Sequence, residues 1–171
     1  MSTPTDLAEL RPDLAAVLSD VLSTVLSQES AETDEPMAPG PRAVATLGIH
    51  EEATGGGYTG VELQVDTSLA RVLASRMMSV AAPTEDDIID AVAELGNIAA
   101  GSAKSLLFRH ARLSLPNASI QDAGDGAATP GAEHVRVIVL GHVVQLTIIP
   151  DVDPGGLVWP PVASDELIGR L

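Results

Sequence analysis

Glu94 and Asn97 stand three residues apart in the run Asp90-Ala-Val-Ala-Glu-Leu-Gly-Asn-Ile-Ala-Ala-Gly101. Wound at about 100° per residue, residues 84–107 place Ile88, Ile89, Val92, Leu95, Ala99, Ala103 and Leu106 on one side of a helix. Asp87, Asp90, Glu94, Asn97 and Gly101 fall in a narrow stripe on the other. A carboxylate one turn from a carboxamide, on the open face of an otherwise buried helix, is a small polar tool aimed outward. The acid attracts cations, and the amide both donates and accepts hydrogen bonds. Taken alone, such a pair is also what any solvated helix face carries.

The helix that must hold this pair is the best-specified element of the chain. Thr84 is placed to cap it, Asp87 stands at the capping-box position, and Glu85 and Asp86 favour its positive end. Before it, residues 5–28 read as a helix whose longer part starts near Arg11, with Pro12 in the first turn. Residues 29–42 have the composition of a solvated linker. Residues 43–49 and 58–65 alternate as a β-hairpin around Gly55-Gly-Gly57. Asp66 and Thr67 cap a short helix over 68–78. Residues 112–116 read as a strand ending at Pro116, 121–131 as a loop, and 134–140 and 142–149 as two strands flanking Gly141. Residues 151–161 form a Pro/Gly tail, with a last apolar piece over 167–171. Strand runs separated by helices predict an α+β fold, an antiparallel β-sheet with α-helices packed on one face. The division expected is 1–42, an N-terminal helix and acidic linker; 43–150, the functional domain; and 151–171, a tail. A faint duplication, helix plus strands repeated, would set Asp20, Thr24 and Ser27 opposite Asp90, Glu94 and Asn97, a set without the acid–amide pair.

Composition narrows the function classes. With 45% hydrophobic but only 2% aromatic residues, the 171-residue chain must build its core from Leu, Val, Ile and Ala. The near absence of rings argues against a stacking platform for single-stranded nucleic acid. A net charge of −15, from 24 acids against nine Lys and Arg, argues against phosphate-backbone binding. No cysteine is present, which removes thiolate catalysis, disulfides and Cys-based zinc sites. The four histidines show no metal-ligand spacing, so no metal site is expected on this chain. No basic n-region leads into an apolar run, and no apolar run approaches membrane-spanning length. A cytoplasmic protein with no nucleic-acid or membrane partner is expected.

The stretch Asp90 to Leu106 followed by Leu113-Ser-Leu-Pro116 resembles the CheX/CheC/FliY family of chemotaxis phosphatases. That signature is Asp or Ser, three residues, Glu, two residues, Asn, and a later Pro. Gly57-Tyr-Thr-Gly60 and the pair Met77-Met78 precede it in the family's order, and the likeness runs over residues 43–149. Because one complete Glu/Asn set is present, it is nearest to single-site CheX-like members. Gly101-Ser102 stands where the family often has Gly-Asn, and the interval from Asn97 to Pro116 is short.

The resemblance implies a hydrolase acting on the aspartyl phosphate of a CheY-like response regulator in two-component signalling. The regulator would supply its own Mg²⁺, and this chain no cofactor. Asn97 would hold the attacking water in line, as the glutamine of small GTPases does, and Glu94 would bind a lysine near the phosphorylation site. Asp90 and Gly101 would contact the partner, Gly101 by leaving the helix flat. The resemblance also admits a dimer through the sheet. The alternative is a non-catalytic regulator-binding or dimerisation module of the same fold.

Overall fold

The computed structural model describes residues 6–52, 55–122 and 129–161. In chain order the elements are α1 (Arg11–Leu26), β1 (Ser30–Glu32), β2 (Arg42–Glu51), β3 (Tyr58–Asp66), α2 (Thr67–Met78), α3 (Glu85–Leu107), β4 (Ala111–Leu113), β5 (Asn117–Gln121), β6 (Glu133–Val139) and β7 (His142–Ile149). A short 3₁₀ turn, Pro154–Gly156, follows. The apolar piece expected over 167–171 lies outside the described residues.

All strand pairings are antiparallel, in the order β1-β6-β7-β3-β2-β4, with β5 also on β2. This order is unchanged when the two halves are exchanged: α1 for α3, β1 for β4 and β5, β2 for β6, β3 for β7. The duplication glimpsed in the sequence is thus present in the topology.

Alternation sets the layers. Ala43, Ala45, Leu47 and Ile49 of β2, Val61, Leu63 and Val65 of β3, and Val144, Leu146 and Ile148 of β7 turn to the helices and are buried. Leu14, Leu18, Leu22 and Leu26 of α1, Leu69 and Leu73 of α2, and Ile88, Val92, Leu95 and Ala99 of α3 fill the same core. The core is aliphatic, as the composition requires. Tyr58 and Trp159 lie elsewhere, with His50, in a ring cluster whose His50–Tyr58 centroids are 4.5 Å apart.

Four expectations need correction. The linker over 29–42 contains β1, which pairs with β6 and is fastened to α1 by Ser30, whose hydroxyl donates to the Ser19 carbonyl at 3.1 Å. Residues 117–121 form β5, where no strand was expected. Its residues are exposed or half-buried, so it lacks the buried alternation that marks an inner strand. Leu106, expected on the buried side of its helix, is 39% exposed, because the last turn sets Leu107 rather than Leu106 against the core. Ile89 is half-buried rather than part of the core.

The Pro/Gly tail packs. Gly48 and Gly60 face each other in register on the sheet surface away from the helices. A Cβ at Gly48 would lie 2.3 Å from Leu157 Cδ1, and one at Gly60 would lie 2.9 Å from Val152 Cγ1. Two facing glycines thus make a slot that the tail fills.

The β6–β7 turn is Leu140-Gly141, with φ of 52° and 78°, the left-handed pair that a two-residue hairpin turn requires.

The N-terminus of α3 forms as its sequence dictates. Thr84 N–H donates to Asp87 Oδ2 at 2.8 Å, and Asp87 N–H donates to Thr84 Oγ1 at 3.2 Å. These bonds from the Thr84 backbone and hydroxyl hold the Asp87 carboxyl below its ordinary value of 3.8. The folded state therefore favours the ionised form, so the stabilisation is present at neutral pH and is lost as pH falls through the lowered value. Asp87→Ala is expected to lower the thermal midpoint at pH 7. Its deficit from wild type should shrink as melts are repeated toward about pH 3. A deficit independent of pH counts against an ionic cap.

Candidate functional site

Close packing on β2 fixes α3 above the sheet. Gly96 is the closest approach: a Cβ there would lie 2.8 Å from the Ala45 Cβ and 3.4 Å from Leu47 Cδ1. Small residues on both sides draw the helix down onto β2. At the sheet edge beside it, the chain from β4 to β5 carries one extra residue against β2, since Leu113 pairs with Ile49 and Asn117 with Thr46. Ser114, 2% exposed, repairs that bulge. Its hydroxyl accepts the Gly48 N–H at 2.7 Å and donates to the Leu115 carbonyl at 3.1 Å. Pro116, which lacks a donor, sits where the ladder is broken.

On this fixed helix the sequence-predicted residues share one face. Asp90 and Glu94 are exposed, and Asn97 and Gly101 are half-buried. Among the described residues no hydrogen bond or ion pair engages the side chains of Asp90, Glu94 or Asn97. The Asn97 amide is not sealed, because the side-chain nitrogen found buried without a partner is Arg42 Nε. Nothing lies within 4 Å of where a Gly101 Cβ would stand. Gly96 is therefore a packing glycine and Gly101 is not, although mid-helix each costs about 1 kcal/mol against alanine.

The expectation from sequence missed two residues on this face. Ile98, beside Asn97, is 40% exposed. Lys104 lies two turns beyond Asn97, its side chain half-buried. The signal for Lys104 was available, since it is the single lysine of the chain.

The duplicated position has no such tool. Asp20 and Thr24 are exposed on α1, but Ser27 has left the helix, with φ 52° at its C-cap. Among the described residues no group of three or more His, Asp or Glu is gathered to hold a metal ion. No helix among them is long and apolar enough to cross a membrane.

An open antiparallel sheet, with helices on one face and one helix presenting an acid–amide pair outward, defines an α+β domain. Residues 49–139 match the family described as "Chemotaxis phosphatase CheX", and the chain belongs to that family. The fold is similar to the chemotaxis protein CheX of Vibrio vulnificus, with a TM-score of 0.64 and 20% identity over 82% of this chain and 95% of that one. A CheX of Desulfovibrio desulfuricans gives a TM-score of 0.61 and 16% identity over 82% and 97%. The CheX–CheY–BeF3–Mg²⁺ complex of Borrelia burgdorferi gives a TM-score of 0.59 and 15% identity over 81% and 95%. Comparison with functionally curated proteins gives no match.

Proposed function

We propose that this chain removes phosphate from the aspartyl phosphate of a CheY-like response regulator, by inserting Asn97 into the regulator's pocket to orient the hydrolytic water. The observation that carries the reading is the unpartnered Glu94/Asn97 pair on an open helix face of a CheX-family fold. The CheX–CheY–BeF3–Mg²⁺ assembly of a structural relative supports a regulator as partner. Phosphoryl transfer leaves a protein little covalent chemistry to perform, so positioning carries the rate. A carboxamide can accept from and donate to one water while leaving its protons in place. Glu94, about one turn away, would meet a cation beside the phosphoryl group and set the depth of insertion. Asp90 would add rim charge, and Gly101 would let the partner's backbone approach. Mg²⁺ would belong to the regulator, and no cofactor to this chain.

The test is to mix the protein with a phosphorylated CheY-like receiver and Mg²⁺ and follow phosphate release. Faster release supports the reading, whereas tight binding with unchanged release supports a non-catalytic docking module. Glu94→Lys is expected to weaken receiver binding by at least about tenfold, because it places like charge against the partner's cation. Titration of a BeF3-loaded receiver measures this, and an unchanged Kd removes Glu94 from the interface.

A further inference from the structure

We propose that Lys104 is the cationic arm of the docking face, a positioning residue that engages a carboxylate on the rim of the partner's phosphorylation pocket. The inference rests on the reading of this protein as a regulator phosphatase. It starts from a difficulty with charge. A pocket that holds Mg²⁺ beside a phosphoryl group does so with carboxylates and other oxygen ligands. This chain approaches it with a net charge of −15. The presented helix is worse than the average surface, since α3 carries Glu85, Asp86, Asp87, Asp90 and Glu94. Glu94 answers a cation on the partner, but nothing acidic answers the partner's acids. Like charges set face to face across an interface oppose association.

Lys104 is the basic residue of α3, in its last turn. It lies about 10 Å beyond Asn97 along the helix axis and about 20° around it, so the two share a line. Between them stands Gly101, with open space above it. No side chain therefore blocks the ammonium from the ground that the partner would cover. The present contact of Lys104 is weak and neutral. Nζ donates to the Ala111 carbonyl at 3.3 Å, longer than the usual 2.9–3.0 Å of such bonds. No ion pair among the described residues compensates the charge. A half-buried stem whose head is held by one backbone carbonyl and by no ion pair among the described residues leaves that head able to exchange the carbonyl for an ionic partner.

The face then reads acid, acid, amide, gap, base from Asp90 to Lys104. A partner fits it in one direction only: cation toward Glu94, carboxylate toward Lys104, phosphoryl group between them under Asn97. The two charges fix the heading of the helix, which one contact at Glu94 would leave free to swivel.

The experiment compares wild type, Lys104→Met, Lys104→Arg and Lys104→Glu. It measures Kd for a CheY-like receiver carrying BeF3 and Mg²⁺, and kcat and KM for the phosphorylated receiver, at low and high salt. Lys104→Met is expected to raise Kd and KM about fivefold at low ionic strength, with kcat nearly unchanged and the difference fading in about 0.5 M salt. Lys104→Glu should be worse than Lys104→Met, and Lys104→Arg should restore binding. A purely structural role through the Ala111 carbonyl would instead lower the thermal midpoint and give a loss that salt does not move. That result overturns the proposal, as does an unchanged Kd for Lys104→Met while wild type binds and dephosphorylates. Wild-type protein that does neither overturns the functional reading itself.

Discussion

Asn97→Ala is expected to reduce kcat for receiver dephosphorylation by at least about 100-fold while leaving receiver binding within about threefold of wild type. The split follows from what the amide does in the proposed mechanism. It touches the water rather than the regulator's surface, so its removal costs the transition state and spares the docked complex. The fold should be indifferent, because Asn97 is half-buried and its amide has no partner among the described residues. Melting curves of variant and wild type should coincide. Asn97→Gln is the sharper variant. It keeps the carboxamide but carries it one methylene farther out, and a misplacement of about 1 Å can itself cost on the order of 100-fold. Little recovery is therefore expected from glutamine. Single-turnover phosphate release from the phosphorylated receiver measures all three proteins, and wild-type kcat in Asn97→Ala removes the water-orienting role.

The presented helix was legible because its signals are local and agree. A capping box, an acidic first turn and a 3.6-residue apolar period all point to one element, and α3 runs over Glu85–Leu107 as they require. The hairpin of β2 and β3 was legible for the same reason, through alternation that the register from Arg42↔Asp66 to His50↔Tyr58 bears out. What the sequence hid depends on distant partners. The strand β1 is three residues long and exists because Ser30 finds Ser19 and β6. The strand β5 carries half-buried side chains, so nothing in Asn117-Ala-Ser-Ile-Gln121 announces its pairing with β2. The tail from Val152 to Trp159 is unreadable as packing until Gly48 and Gly60 are seen to face each other. At the site, Glu94 and Asn97 could be singled out by spacing and family likeness. Lys104 was marked in the sequence only as the single lysine; its interest comes from the open space over Gly101 and from the absence of an ionic partner among the described residues, and neither is a property of sequence.

Leu22→Ala tests whether the N-terminal helix belongs to the folded unit that holds α3. Leu22 is fully buried, in one cluster with Leu95 and Ala99 of α3 and Val137 of β6. Deleting most of such a side chain costs about 2–5 kcal/mol, against a total stability of about 5–15 kcal/mol for a typical domain. The effect should therefore be large whatever the exact total. The exchange of halves gives α1 the place that α3 occupies in the other half, and Arg76 of α2 donates to the Leu26 carbonyl at its C-terminal end. Both ties make α1 a buttress of the layer that presents Asn97. Two probes separate buttress from appendage. Far-ultraviolet dichroism follows the helices, and the fluorescence of Trp159, the chain's single tryptophan, follows the opposite face of the sheet. If α1 is integral, Leu22→Ala moves both denaturant midpoints down together. If the tryptophan midpoint stays at its wild-type value while part of the dichroism is lost early, α1 melts by itself and the core that positions α3 stands without it.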